Sequence, residues 1–260
     1  MASLKGKVCM VTGASSGIGA ATAIYFASLG AKLAITGRNT ESLDDTKRKC
    51  IEEGLAENEV FISAGDLAVD ADLERVFEEC ASYYNNTLDV LVNNAGIGVV
   101  ASLLNTTMEM YDKQMNINTR SVFYLTRLAA PLLIKSKGTI VNVSSVNGLR
   151  SFPGLTAYCM SKSAIDQFTR CTALDLASTG VRCNAVNPGV IVTDIHKRGG
   201  MDEVAYAAFL ERSKMTHALG RVGQADEVAK AISFFASDES SFITGATLPI
   251  DGGRHAMCPR

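Results

Sequence analysis

Two hydrophobic periods alternate along the chain. Short β-branched or apolar runs occur as "KVCMVTG" from Lys7, "KLAIT" from Lys32, "VFIS" from Val60, "LDVLVNN" from Leu88, "GTIVNVSS" from Gly138, "VRCNAVNPG" from Val181 and "ATLPID" from Ala246. Between them lie longer stretches of helical spacing, over 17–29, 40–53, 70–83, about 108–136, 158–178 and 225–236. Strands joined by helices of this length must run parallel, and right-handed crossovers cover both faces of the resulting sheet. The predicted fold class is α/β: a single-domain, Rossmann-like, doubly wound sheet of seven mostly parallel strands with helices on both faces. One stretch departs from the alternation. Residues 193–218, "TDIHKRGGMDEVAYAAFLERSKMTHA", follow a strand but mix helical spacing with a Gly-Gly and many polar residues. Two readings stay open there, a substrate lid leaving the carboxyl edge of the sheet and a surface helical hairpin with no gating role.

Composition narrows the classes. With 260 residues, 47% hydrophobic and 20% charged, the chain can bury one large core, and one domain spanning 1–260 is expected. The net charge of -2 and the absence of a basic window beyond "TKRK" (46–49) argue against nucleic acid or an anionic membrane as a partner. The seven cysteines include no C-x-x-C pair, so neither a disulfide framework nor a metal site is expected, and the thiols read as reduced. Sequons fall at Asn85, Asn105 and Asn142, the last inside a strand-like run where a glycan has no room. The first apolar run is too short for a signal peptide and nothing approaches a membrane span, so a cytoplasmic protein is expected.

The chemistry begins where the first strand ends. "TGASSGIGAA" sets glycines at 13, 17 and 19: one for a sharp turn, one for close backbone approach to a phosphate, one for helix-to-sheet packing. The spacing G-x-x-x-G-x-G is a variant of the usual dinucleotide fingerprint, and a tight turn without ligand would carry the same glycines. At the end of the second strand, Gly37 and Arg38 stand where an NAD binder places a carboxylate on the ribose diol. A carboxylate would repel a 2′-phosphate, whereas Arg38 can hold one, so NADP(H) is favoured over NAD(H). The competing reading leaves Arg38 solvated and Gly37 a turn residue.

Taken as a set, "TGASSGIG" (12–19), Asp66, "NNAG" (93–96), Asn118, Ser145, Tyr158 with Lys162, and "NPGVIVT" (187–193) resemble the short-chain dehydrogenase/reductase family in order and spacing over essentially the whole chain. The resemblance implies an NAD(P)(H)-dependent oxidoreductase acting on alcohols and ketones, commonly a homotetramer. Its 3-oxoacyl-carrier-protein reductases and hydroxysteroid dehydrogenases look nearest, and the sequence does not decide between them. It also implies a catalytic set of Asn118, Ser145, Tyr158 and Lys162. Cofactor contacts are implied at Gly13, Ser15, Ser16, Gly17, Ile18, Gly19, Arg38, Asp66, Leu67, Asn93, Ala95, Gly96, Tyr158, Lys162, Pro188, Gly189, Ile191 and Thr193. Asp66 could instead cap a helix or a turn, and the segment at 93–96 could serve the sheet more than the cofactor.

Elementary chemistry supports these roles. Free phenol and ammonium groups titrate at about 10 and 10.4, so a tyrosine acting near neutrality needs a fixed charge beside it. Four residues apart on a helix, Tyr158 and Lys162 share a face, so the lysine can steady both the phenol and the nicotinamide ribose. Ser145, thirteen residues before Tyr158, ends a strand and can polarise the substrate oxygen; Ser144 should face the other way. Asn118, rather than Asn116, is taken by resemblance as holder of a proton-relay water.

The expected reaction is reversible hydride transfer between NADP(H) and a ketone or secondary alcohol, with Tyr158 as acid and base. An NAD(H)-dependent alcohol or hydroxysteroid dehydrogenase is the alternative in the same class. A non-catalytic NADP(H)-binding scaffold or redox sensor is the alternative in another. Pocket walls are expected from 97–104, 146–156 and the lid, where Val99, Leu149, Phe152 and Met201 suggest an apolar small-molecule substrate. Of the three histidines only His196 invites a check for substrate contact.

Overall fold

Each apolar run becomes a strand and, with one interruption, each helical stretch a helix in the computed structural model, which describes residues 3–258. In chain order these are β1 (Val8–Thr12), α1 (Gly17–Ser28), β2 (Lys32–Gly37), α2 (Thr40–Glu52), β3 (Val60–Ala64), α3 (Asp70–Tyr83) and β4 (Val90–Asn93). There follow α4 (Met108–Met115), α5 (Ser121–Ser136), β5 (Thr139–Val143), α6 (Val146–Leu149), α7 (Thr156–Leu176) and β6 (Arg182–Pro188). The chain closes with α8 (Ile195–Arg198), α9 (Glu203–Lys214), α10 (Ala225–Ala236) and β7 (Thr247–Ile250).

The strands form one seven-stranded sheet in the order β3-β2-β1-β4-β5-β6-β7, and every pairing is parallel. Val11 on β1 stands opposite Ile35 on one side and Val92 on the other. Covered on both faces, the central strands lose the apolar-polar alternation of a half-exposed sheet; β1 and β5 are buried at every position. Alternate residues feed two apolar layers. Cys9 and Val11 pack with Phe26, Ile35 and Phe235 on one face, and Val8 and Met10 with Leu91, Leu125 and Ile140 on the other. Because the order reverses between β1 and β4, the loops leaving these strands diverge and open a crevice at their carboxyl ends, where ligands bind in such sheets.

The helix expected over 108–136 is interrupted. Residues Asn116–Arg120 form a wider π turn between α4 and α5. Within it Asn118 is fully buried: its Oδ1 accepts from Ile97 N at 2.8 Å, and its Nδ2 donates to Ile97 O at 2.9 Å and to Ser161 Oγ at 3.0 Å. The irregular stretch 193–218 contains α8 and α9, the latter capped by Asp202, whose Oδ1 accepts from Ala205 N at 2.8 Å. Among the described residues no helix is long and apolar enough to cross a membrane.

Candidate active site

The crevice floor is the turn from β1 into α1. Gly13 and Gly17 have positive φ, +64° and +56°, which glycine adopts without strain. A Cβ on Gly13 would lie 2.9 Å from Ala95 Cα, and one on Gly19 would collide with the Gly13 carbonyl, so the turn is compressed against the loop after β4. Polar bonds join the two. Thr12 Oγ1 accepts from Asn94 N at 2.9 Å and Ala95 N at 3.0 Å, while Asn94 Nδ2 donates to Thr12 O at 2.9 Å. The N-terminus of α1 is left open: Ser16 caps it in extended conformation without a side-chain bond, and the first turn has no acidic residue. Ser15, Ser16, Gly17 and Ile18 therefore lie at the positive end of a helix beside the crevice, where backbone N–H groups could hold an anionic group such as a diphosphate.

The other implied cofactor residues surround this turn. Gly37 ends β2, and a Cβ there would stand 3.1 Å from Ser15 Oγ. Arg38 extends past it with a largely exposed side chain, 3.9 Å from Asp66 Oδ2. Asp66 also serves its own turn, Oδ1 accepting from Ala68 N at 3.0 Å, and Leu67 is buried. Asn93 is committed to the sheet interior, donating to Thr126 Oγ1 at 3.0 Å and Asn142 Oδ1 at 2.9 Å, which leaves its neighbours Ala95 and Gly96 to face the crevice. Pro188 ends β6 and Gly189 follows it, Gly189 N donating to Ile250 O at 3.0 Å. Ile191 is buried and bridged to Gly223, and Thr193 stands over the glycine turn, its Cγ2 3.1 Å from where a Cβ of Gly17 would be.

The four catalytic candidates converge opposite this cradle. Ser145 follows β5 and caps α6, its Oγ accepting from Asn147 N at 3.1 Å. Ser144 points the other way, donating to Lys162 O at 3.1 Å, as strand alternation requires. Tyr158 and Lys162 occupy the first turns of α7 on one face. Burial raises the Tyr158 phenol above its ordinary value, and a hydrogen bond with Ser145 pulls it back. The phenol is thus held protonated, with its partner hydroxyl in place. Lys162 Nζ is buried, donates to Val143 O at 2.9 Å, and lies 5.8 Å from the centre of the Tyr158 ring. Burial lowers its ammonium to about 8, with Asp166 opposing. Gly96 joins the lysine to Asn118: a Cβ there would stand 3.3 Å from Asn118 Oδ1 and 3.6 Å from Lys162 Nζ, so both polar groups border the same small space.

The expected pocket walls meet around Tyr158. A Cβ on Gly98 would lie 3.8 Å from the Tyr158 ring, and Ala101 N donates to Gly154 O at 2.9 Å, stitching 97–104 to 146–156. The side chain of His196 lies outside the described residues.

Two residues without a sequence motif support the site. Asp166, one turn beyond Lys162, is buried and accepts from Asn187 Nδ2 at 3.0 Å and 3.1 Å; that amide also donates to Ser145 O at 2.9 Å. Burial raises the Asp166 carboxyl, and bonds from Ser144 and Asn187 oppose the rise. His217, at the end of the irregular stretch, is buried and bonds to Val190 N. Neither could be singled out in the sequence, because an Asp on a helix and a His in a polar stretch resemble solvated residues.

Residues 13–255 match the family described as enoyl-(acyl carrier protein) reductase. The 3-oxoacyl-[acyl-carrier-protein] reductase FabG of Thermotoga maritima is 40% identical, over 96% of this chain and 98% of its own length. The meso-2,3-butanediol dehydrogenase of Serratia marcescens is 34% identical, over 96% and 95%. Among solved structures, a short-chain dehydrogenase/reductase of unknown function from Caenorhabditis elegans, determined with cofactor, superposes with a TM-score of 0.92 at 34% identity, over 98% of this chain and 97% of that one. Levodione reductase superposes with a TM-score of 0.92 at 30% identity, over 98% and 100%.

Proposed function

The chain belongs to the short-chain dehydrogenase/reductase family, and we propose that it interconverts a ketone and a secondary alcohol with NADP(H) in preference to NAD(H), Tyr158 moving the proton. One observation carries this: the Ser145–Tyr158 hydroxyl pair stands beside a buried lysine, across the strand-order reversal from an open helix N-terminus. That N-terminus, with its positive-φ glycine and no acid in the first turn, suits the diphosphate of a dinucleotide. Arg38 and the small Gly37 suit a 2′-phosphate.

The bound nicotinamide would supply or take the hydride. In the reductive direction Ser145 Oγ would bond the carbonyl oxygen and stabilise the charge developing there. Tyr158 Oη, held in its acid form, would give its proton to that oxygen. Lys162, anchored by Val143 O, would keep a positive charge beneath the phenol as it loses the proton. Asn118 borders the space beside Lys162 and could seat the water that returns the proton. Residues 193–218 act in this scheme as a lid: Arg198 Nη1 reaches Ser16 Oγ at 2.6 Å, and Tyr206 Oη donates to Thr193 O at 3.0 Å, so α8 and α9 rest on the crevice. A homotetramer is supported by exposed apolar side chains on the outer faces of α5 and α7, Phe123 and Leu174 among them.

The test is NADPH oxidation against a panel of ketones, with Tyr158→Phe beside the parent. Turnover lost in the variant while NADPH still binds is the expected result. Near-normal turnover in the variant would sink the mechanism, and cofactor binding without turnover across the panel would favour the scaffold or sensor.

A further inference from the structure

Past the last strand the chain makes a tight turn in which, among the described residues, Arg254 forms no ion pair. Arg254, four residues beyond β7, lays its guanidinium over the Phe152 ring, Cζ 4.5 Å from the centroid. Its Nε is buried and has no hydrogen-bond partner among the described residues. The nearby carboxylate is already occupied: Asp251 Oδ1 accepts from Gly253 N at 3.0 Å, Oδ2 accepts from His255 N at 2.6 Å, and both oxygens meet His255 Nδ1. Arg150 reaches the same turn, its Nε donating to His255 O at 2.8 Å while its terminal nitrogens stay free among the described residues. Arg254 thus covers Phe152 while Arg150 reaches the same turn through His255 O, and among the described residues neither forms an ion pair.

This turn borders the candidate active site. Phe152 and Arg150 lie in the segment that leaves Ser145 through α6. Arg254 is near enough to His217 for its charge to oppose protonation of that ring, and His217 in turn contacts Gly189 and Val190 at the end of β6. Asn187 on β6 donates to Ser145 O, so the ends of β5, β6 and β7 form one continuous wall. A guanidinium offers five donors, and a cation-π contact satisfies none of them. A buried donor without a partner calls for one, and a planar fork is matched best by a carboxylate or phosphate oxygen pair.

We infer that Arg254 and Arg150 form an oxyanion subsite beside Phe152, and that the substrate is a carbonyl or alcohol compound carrying an acidic group. The inference rests on the oxidoreductase reading above and deepens it. The apolar walls around Val99 and Phe152 then hold the middle of the molecule, with the reacting carbon at Ser145 and Tyr158 and the acid at the arginines.

The cofactor-loaded protein is assayed with acetoacetate and levulinate against their methyl esters, and with dihydroxyacetone phosphate against dihydroxyacetone. The first comparison reports a carboxylate and the second a phosphate. In the parent, kcat/KM for at least one acid should exceed that of its neutral partner by about tenfold or more. Arg254→Ala should abolish that ratio, Arg254→Lys should keep part of it, and Arg150→Ala should reduce it. Equal or better use of every neutral partner by the parent overturns the subsite, as does an unchanged ratio in R254A. Should R254A fail to fold, R254K and R150A carry the same comparison. A second readout needs no turnover: saturation-transfer NMR of 3-hydroxybutyrate on parent and variants. No turnover of any carbonyl, with 3-hydroxybutyrate binding that depends on Arg254, would overturn the oxidoreductase reading and uphold the subsite. Turnover of neutral ketones with no dependence on Arg254 would do the reverse.

Discussion

His217 holds Val190 by a ring nitrogen that can only accept: Nε2 takes the Val190 N–H at 3.1 Å, while Nδ1 lies 2.6 Å from Ser213 O and must carry the proton. The end of the irregular stretch is thereby tied to the segment that leaves β6. A Cβ on Gly189 would stand 2.8 Å from the same Nε2, so the contact is close as well as polar.

Protonating this ring would put a second N–H against the Val190 N–H, and burial already lowers its pKa below the ordinary 6.5. The unfolded chain therefore binds more protons than the folded one just below pH 6.5. Stability should be full above that pH and fall as acid is added. Urea unfolding from pH 5 to 8 should show the decline. In His217→Leu that part of the slope should vanish, and stability at pH 8 should drop by about 2 kcal/mol, because the Val190 N–H loses its partner while Ser213 O keeps the Thr216 N–H and hydroxyl. An identical pH slope in the variant would refute the assignment.

A second pH effect comes from Lys162. Its ammonium, lowered to about 8 by burial, is charged below that value and neutral above it. The proposed proton transfer needs the charge, so kcat/KM for ketone reduction should be flat from pH 6.5 to 7.5 and fall above about 8, reporting the free enzyme. The same shift carries a stability sign: burying the charge opposes folding below about 8, and the opposition fades toward the ordinary 10.5. A reduction profile still flat at pH 9.5 would exclude Lys162 as the group on which proton transfer depends.

The sequence made the sheet and the Tyr158–Lys162 face legible because both follow from short periods. Family resemblance chose Ser145 over Ser144, and strand alternation set the two on opposite faces; Ser144 bonds to the backbone of α7. Helical spacing could not reveal the π turn at Asn118, whose amide is bound to Ile97 on the loop after β4, far away in sequence. Asp166 and His217 were hidden for a similar reason. Their burial is decided by Asn187 and Val190, each more than twenty residues away in sequence, and no local pattern records such a meeting. Arg150 and Arg254 lie farther apart still, joined only through the turn around His255.

Gly148 gives a packing test of the support beneath the site. Its φ is not in the left-handed region, so alanine is no backbone problem there, yet the added Cβ would collide with Asp166 Oδ2 and stand 3.0 Å from Lys162 O. Asp166 is buried and held by Asn187, so it cannot swing aside without releasing the amide that also bonds Ser145 O. Gly148→Ala should cost about 1–3 kcal/mol of stability as overpacking and lower kcat more than it raises KM. Thermal unfolding and steady-state kinetics check this, and a variant with unchanged kcat and melting temperature would show that α6 yields freely.

Cofactor choice turns on Arg38. Its side chain is 60% exposed and its one ion pair among the described residues is with Asp66, at 3.9 Å, so its removal should disturb little of the structure. Any preference it confers must come from the ligand. Ser15 Oγ, 3.1 Å from a Cβ built on Gly37, leaves little room for a carboxylate at that position, which is how a ribose diol would otherwise be claimed. Arg38→Ala should raise KM for NADPH about tenfold or more, the loss of one charge-assisted contact to a 2′-phosphate, and leave KM for NADH nearly unchanged. Arg38→Asp should go further, repelling the phosphate while offering the diol an acceptor, and so invert the preference. Steady-state kinetics with both cofactors decide the matter: a parent enzyme that already favours NADH, or an R38A variant with the parent's NADPH-to-NADH ratio, would return Arg38 to the solvated surface.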